Sequence, residues 1–203
     1  NIRSGLTHPD IDWPSYADRH RQQPWFVLSA LLLAENGYKV LMHGITGFSE
    51  GLAPTRPALA ALGIEPSKDM TAASDMLKQR NFAYIGLESF LPRLEALFQL
   101  RPVLGVRTFA NTVARAINPF EAPTQLVGMF HPNYRSVHSS VAQLSGQSRA
   151  AVFKGIGGEI QRNPQKTCRV YTVRDGEIDE EDWPSWTQSL GHEWRSEDLS
   201  PER

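Results

Sequence analysis

Short apolar runs alternate with segments of helical periodicity along this chain, and that alternation predicts an α/β fold. Two further observations support it. The length, 203 residues, allows one substantial core. The apolar runs are short, close in turn residues and lack a strict two-residue alternation, as strands of a mostly parallel central sheet flanked by helices do.

The elements follow in order. Residues Asn1 to Pro14 are polar and turn-rich and read as a lead-in. Gln22 to Glu35 has helix composition, with Leu28, Leu31 and Leu32 at helical spacing and Asn36-Gly37 as its stop. Tyr38 to Met42 is a buried strand running into the loop His43-Gly44-Ile45-Thr46-Gly47. Pro54 to Leu62 and Ala72 to Gln79 are helices, the second with Thr71 as N-cap. Phe82 to Ile85 is a strand. Leu91 to Leu100 is a helix with Ser89 as cap and Pro92 in its first turn. Val106 to Ile117 is a helix stopped by Asn118-Pro119. Gln125 to Phe130 is a strand, Asn133 to Leu144 a helix, and Ala150 to Lys154 a strand leading into Gly155-Ile156-Gly157-Gly158. Arg169 to Val173 is a strand with a turn at Arg174-Asp175-Gly176, and the Trp-rich acidic stretch from Glu181 is a peripheral helix or partly disordered.

Composition excludes several classes. One cysteine, Cys168, rules out an intrachain disulfide framework and a cysteine-rich metal site. The longest apolar run, Trp25 to Ala34, has ten residues, too few to span a bilayer. A cytoplasmic protein is the expectation. The chain starts Asn-Ile-Arg, so it is read as a piece of a longer protein.

The net charge of −1 conceals a division. Residues 99–174 carry ten Lys and Arg against two acids, whereas 175–203 carry ten acids against two arginines. The basic segment is fit to attract phosphates. Arg107 and Arg115, eight apart in one expected helix, would stand about 12 Å apart near one face, with Arg101 just upstream. Arg135, Arg149 and Lys154 are secondary candidates. Equally, these cations could face different ways and be neutralised by the acidic tail.

His43 follows a strand and precedes a glycine-flanked loop, where a ligand-facing and a buried structural role are nearly balanced. Gly155, Gly157 and Gly158 could lay backbone N–H groups on a phosphate, but without Walker or Rossmann spacing. His131 and His138 lack a neighbouring acid or thiol at ligand spacing, so no metal site is expected there.

The block from Arg101 to Asn111 (Arg-Pro-Val-Leu-Gly-Val-Arg-Thr-Phe-Ala-Asn), followed by Ile117-Asn-Pro119 and Gln125-Leu-Val-Gly-Met-Phe-His-Pro132, resembles the anthranilate phosphoribosyltransferase fold. That is glycosyltransferase family 3, which also contains the pyrimidine nucleoside phosphorylases. The resemblance runs from about Asp12 to Arg174. It implies an α/β domain in segments 1–53 and 81–174, inserted helices of a small helical domain at 54–80, an acidic tail at 175–203, a missing N-terminal helical domain, and a homodimer.

The family's glycine-rich diphosphate loop falls on Pro14-Ser15-Tyr16-Ala17-Asp18-Arg19, where only Asp18 matches. Its Lys-His-Gly-Asn falls on Met42-His43-Gly44-Ile45, and its acceptor-contacting arginine on Arg101. Its magnesium-binding Asp-Glu pair falls near Ile160-Gln161, beside Glu159. These departures leave Asp18, His43, Arg101 and Glu159 as a vestigial site, and no cofactor is expected. A divergent, YbiB-like (second TrpD-like) branch is more similar; its members bind single- and double-stranded nucleic acid and are linked to the DNA-damage response. The leading expectation is therefore a non-sequence-specific nucleic-acid-binding protein contacting phosphates through Arg101, Arg107 and Arg115. The alternative is a phosphoribosyltransferase using phosphoribosyl diphosphate, with Mg2+, on an anthranilate-like acceptor. A cleft filled by Tyr16 or Ile45 would argue against that alternative.

Overall fold

In the computed structural model, which describes residues 5–17, 23–45, 55–106 and 108–187, strands and helices alternate along the chain. They are β1 (Ile11–Ser15), α1 (Trp25–Glu35), β2 (Val40–Gly44), α2 (Thr55–Ala61), α3 (Met70–Arg80), β3 (Phe82–Gly86), α4 (Leu87–Phe90), α5 (Pro92–Phe98), α6 (Arg101–Leu104), α7 (Ala110–Ala116), β4 (Thr124–Met129), α8 (Tyr134–Leu144), β5 (Arg149–Lys154), β6 (Cys168–Arg174) and β7 (Glu177–Trp183). The strands form a seven-stranded sheet in the order β3-β2-β1-β4-β5-β6-β7. β1 to β5 pair in parallel, and β6 and β7 are added antiparallel at one edge. The expected α/β class with a mostly parallel sheet is what the chain adopts.

Every residue of β2 and β3 is buried, because helices cover the parallel sheet on both faces. On one face Trp13, Met42 and Tyr84 pack with Phe26, Val27 and Ala30 of α1 and Leu59 of α2. On the other, Ala73 and Leu77 of α3 lie on Leu41, Ala83 and Ile85. The helices of segment 54–80, expected to belong to a small helical domain, thus form the crossover between β2 and β3, with α3 on the sheet. Nearer the strand ends Leu87, Phe98, Ala110 and Ala114 pack on Tyr16 and Ile45.

Several expectations need correction. The stretch read as a polar lead-in contains β1, the strand between β2 and β4. Asp12, Pro14 and Ser15 interrupt its apolar signal, yet Asp12 and Ser15 are buried because their partners come from distant elements. α3 starts earlier than expected: the Asp69 carboxylate, not Thr71, caps it by accepting from Ala72 N at 2.8 Å. Ser89 lies within α4 rather than capping α5, while Pro92 does sit in the first turn of α5. α7 begins only at Ala110 rather than at Val106; Arg107 lies outside the described residues. The acidic stretch is neither helical nor disordered through Trp183 but forms β7, joined to β6 by a turn in which Asp175 and Gly176 adopt φ of 48° and 88°.

Candidate ligand site at the sheet's C-terminal edge

β1 has β2 and β3 on one side and β4 and β5 on the other, so the chain switches direction of winding beside it. In open parallel sheets, ligands sit outside the carboxyl ends of strands at such a switch point. Here that edge gathers Ser15, Tyr16 and Ala17 from β1 and its exit, His43 from β2, Arg115 from α7 and Glu159 from the loop after β5, while Asp12, nearer the start of β1, reaches His43 from within the sheet.

Asp12 and His43 are both 0% exposed. His43 Nε2 lies 3.2 Å from Asp12 Oδ1, and Gln125 Nε2 donates to Asp12 Oδ2 at 2.8 Å. The Tyr16 hydroxyl is 2.7 Å from His43 Nδ1. Burial pushes the Tyr16 pKa well above its ordinary value, so the phenol keeps its proton and donates it to Nδ1. The ring proton is then on Nε2, facing Asp12. Tyr16 and Phe90 flank the imidazole edge-on. His43 is a locked interior group that positions Tyr16, not one that meets solvent. Tyr16 is itself buried and packs in one cluster with the buried Ile45.

The second cluster turns on Glu159, 1% exposed. Gly155-Ile156-Gly157-Gly158 folds back over the strand ends through a tight turn, with Gly157 and Gly158 at φ of 65° and 92°. Gly155 N donates to Met129 O at 3.0 Å. A Cβ at Gly155 or at Gly128 of β4 would run into the Glu159 backbone carbonyl, so both glycines are required by the close approach. The fold-back brings the Glu159 carboxylate to the exit of β1, where Ala17 N donates to it at 2.6 Å. Burial pushes its pKa up to about 7, against the opposing pull of the Arg115 guanidinium, the Ala17 N–H and the Ser15 hydroxyl.

Arg115 is only 7% exposed and donates to Asn111 O at 2.7 Å. It stands near Gly158. Burial, aided by the Arg115 charge, lowers the His138 pKa to about 4. The residue expected to reach outward for phosphates is therefore turned into the protein. The other basic candidates are spread out. Arg101 opens α6, half-buried. Arg135 of α8 lies over the Tyr171 ring and donates to Arg169 O at 3.3 Å. Arg149 and Lys154 are exposed at opposite ends of β5, about 16 Å apart at strand rise. Asp18 lies outside the described residues. Glu159, His43 and the glycine loop do converge on one edge. Asp12, Ser15 and Tyr16 complete it, and no local pattern pointed to them because their strand was not recognised.

The residues where a magnesium pair would stand do other work. Ile160 is buried against the core that includes Trp13 and Phe26. The Gln161 side chain accepts from Phe26 N at 3.3 Å and donates to Gln23 O at 3.4 Å, tying the loop to the start of α1. Among the described residues no three His, Cys, Asp or Glu side chains come together as metal ligands. The apolar Ile160 and the hydrogen-bonded Gln161 amide do not fit a magnesium ion.

A parallel α/β sheet with a polar cluster at its switch point is the arrangement of a ligand-binding α/β fold, and the comparisons with known proteins narrow it. A family model described as "Glycosyl transferase family, a/b domain" matches residues 27–197, and the chain belongs to that family. The anthranilate phosphoribosyltransferase of Ignicoccus hospitalis is 31% identical over 145 residues, covering 71% of this chain and 42% of the relative. That of Oleidesulfovibrio alaskensis is 29% identical over 152 residues, covering 75% and 46%. The chain thus spans less than half the length of these relatives. Among solved structures, anthranilate phosphoribosyltransferase from Thermus thermophilus superposes with a TM-score of 0.73 at 22% identity, over 88% of this chain and 53% of that one. The Saccharomyces cerevisiae enzyme in complex with PRPP and Mg gives 0.67 at 15% identity, over 87% and 48%. The fold is anthranilate phosphoribosyltransferase-like. Among the described residues no helix is long and apolar enough to cross a membrane.

Proposed function

We propose that this chain is the α/β part of a phosphoribosyltransferase-like protein that holds a phosphoribosyl ligand, of the phosphoribosyl diphosphate class, at the carboxyl ends of β1 and β5. The observation that carries the reading is the closure of the Gly155–Gly158 loop onto the exit of β1 through Glu159 and Ala17 N. It places glycine backbone, a hydroxyl and a guanidinium-backed carboxylate at the switch point where such sheets bind phosphorylated ligands. Relatives named anthranilate phosphoribosyltransferase, one solved with PRPP and Mg, support the ligand class.

Tyr16 and Ile45 are buried in one cluster, with Tyr16 against the His43 ring, the filling expected to argue against acceptor transfer there, so the reading is confined to holding the phosphoribosyl ligand. The nucleic-acid reading loses its central residue with Arg115 buried, and Arg169 and Arg174 are paired with acids of β7.

The test is calorimetric titration of the chain with phosphoribosyl diphosphate, with and without magnesium, followed by a transfer assay with anthranilate. Saturable binding competed by pyrophosphate is expected. A folded chain that ignores both compounds, yet binds a labelled random single strand in a salt-sensitive way, would replace this reading with the nucleic-acid one.

A further inference from the structure

The Glu159 carboxylate is held by the groups an external anion would seek. Ala17 N–H points at Oε1 from the end of a parallel strand. The Ser15 hydroxyl of the same strand and the Arg115 guanidinium of α7 favour its charged form. Its second oxygen, Oε2, is buried without a hydrogen-bond partner. A neutral amide could tie the loop to Ala17 with no cost of burying charge, whereas a carboxylate there must be desolvated. Its placement is explained if the seat is built for an anion.

We propose that Glu159 is an internal surrogate for a ligand phosphate: its carboxylate fills an oxyanion seat made by Ala17 N–H, the Ser15 hydroxyl and Arg115, and an external phosphate or diphosphate group binds by displacing it. The seat's location rests on the ligand reading above; the plug itself rests on the contacts of Glu159. The carboxylate leaves by rotation of the Glu159 side chain, since the loop backbone is held by its close approach to Gly155 and Gly128 and by Ile160 in the core.

The charge of the plug then governs entry. Of the groups that act on Glu159, Arg115 stays charged and Tyr84 of β3, pushed up to about 12, stays neutral. His138 of α8, on the other side of Arg115, is neutral above about pH 5. Glu159 itself gains its negative charge as pH rises through about 7, so anion binding weakens toward alkaline pH.

Sulfate is the probe, since its own charge is constant between about pH 6 and 8. Its binding to the intact chain and to Glu159→Gln is measured at both pH values. Glu159→Gln keeps an acceptor for Ala17 N–H and removes the competing charge. A like charge within about 4 Å at an effective dielectric near 20 is worth at least tenfold in affinity. The expected result is wild-type affinity falling about tenfold from pH 6 to 8, and Glu159→Gln binding about tenfold tighter at pH 8 with little pH dependence. Equal affinities for the two proteins, or a wild type without pH dependence, overturns the plug. Should Glu159→Gln not fold, the wild-type series decides alone. Sulfate binding gained in Glu159→Gln with no response to phosphoribosyl diphosphate upholds the plug and removes the ligand reading. Phosphoribosyl diphosphate binding indifferent to Glu159 does the reverse.

Discussion

The parallel strands β1–β5 and the antiparallel pair β6–β7 both bring opposite charges together, but in opposite surroundings. In the parallel part Asp12, His43, Glu159 and Arg115 are all buried. In the hairpin Arg169 faces Asp182 at 3.0 Å and Arg174 faces Glu181 at 2.8 Å, with side chains from 36% to 64% exposed. The hairpin uses charge to blunt a sheet edge against further pairing, at little gain or cost. The interior uses charge where desolvation makes every unpaired group expensive. The same residue types are therefore a surface property at one edge and part of a built site at the other.

The sharpest way to break the comparison is Asp12→Ala. It takes the carboxylate away from His43 Nε2 and leaves the Gln125 amide with Ile117 O as its remaining acceptor. Leaving buried donors without their acceptor costs about 1–3 kcal/mol each, read as a lowered midpoint in urea unfolding. Asp12→Asn, which keeps an acceptor, is expected to cost less. A loss no larger than that of a hairpin charge would erase the distinction between the two regions.

The next effect is one of pH. Glu159 has its pKa raised from 4.5 to about 7. Between those values the native state holds a proton that the unfolded chain has released, so this group lowers stability as pH rises through that window. His138 is lowered from 6.5 to about 4. The unfolded chain protonates first, so its contribution is lost as pH falls from 6.5 to 4. Each shift corresponds to about 3 kcal/mol, and between pH 4.5 and 6.5 they oppose. Glu159→Gln should make stability rise with pH over that range, and His138→Gln should make it fall. Slopes of the same sign in both variants would contradict the assignment.

How much of this was legible follows from where each signal resides. β2, β3, β4 and β5 announce themselves because an apolar run is itself the burial signal. β1 does not: Asp12, Pro14 and Ser15 look like a loop until Gln125, His43 and Thr55 supply partners. β7 reads as a tail because an edge strand is free to be acidic. In the site, His43 and the Gly155–Gly158 loop are visible as local patterns, and Glu159 through its place in the family motif. Arg115 turns inward to Asn111 O and toward Glu159, which lies beyond β4, α8 and β5 in the chain, and no spacing along α7 could disclose it.

A smaller effect tests a local signal. Asp69→Ala removes the carboxylate that accepts from Ala72 N, and N-cap losses cost about 1 kcal/mol. The same substitution at Thr71, inside the first turn, should change urea unfolding much less.

The smallest expected effect lies at the hairpin, and it completes the contrast. Arg169 reaches Asp182 through two nitrogens, at 3.0 and 3.1 Å, and Glu180 at 3.6 Å, so its geometry is better than that of an ordinary surface pair. Its side chain is nonetheless half exposed, where water competes for the guanidinium and salt screens the attraction. A double-mutant cycle of Arg169→Ala and Asp182→Ala should return a coupling of no more than about 1 kcal/mol, shrinking further in roughly 1 M salt. A coupling as large as the Asp12 effect would mean that β7 is held to the sheet by charge. A small one leaves that task to the backbone ladder with β6 and to Trp183 against Phe153, and Trp183→Ala should then destabilise the hairpin more than the loss of any of its ion pairs.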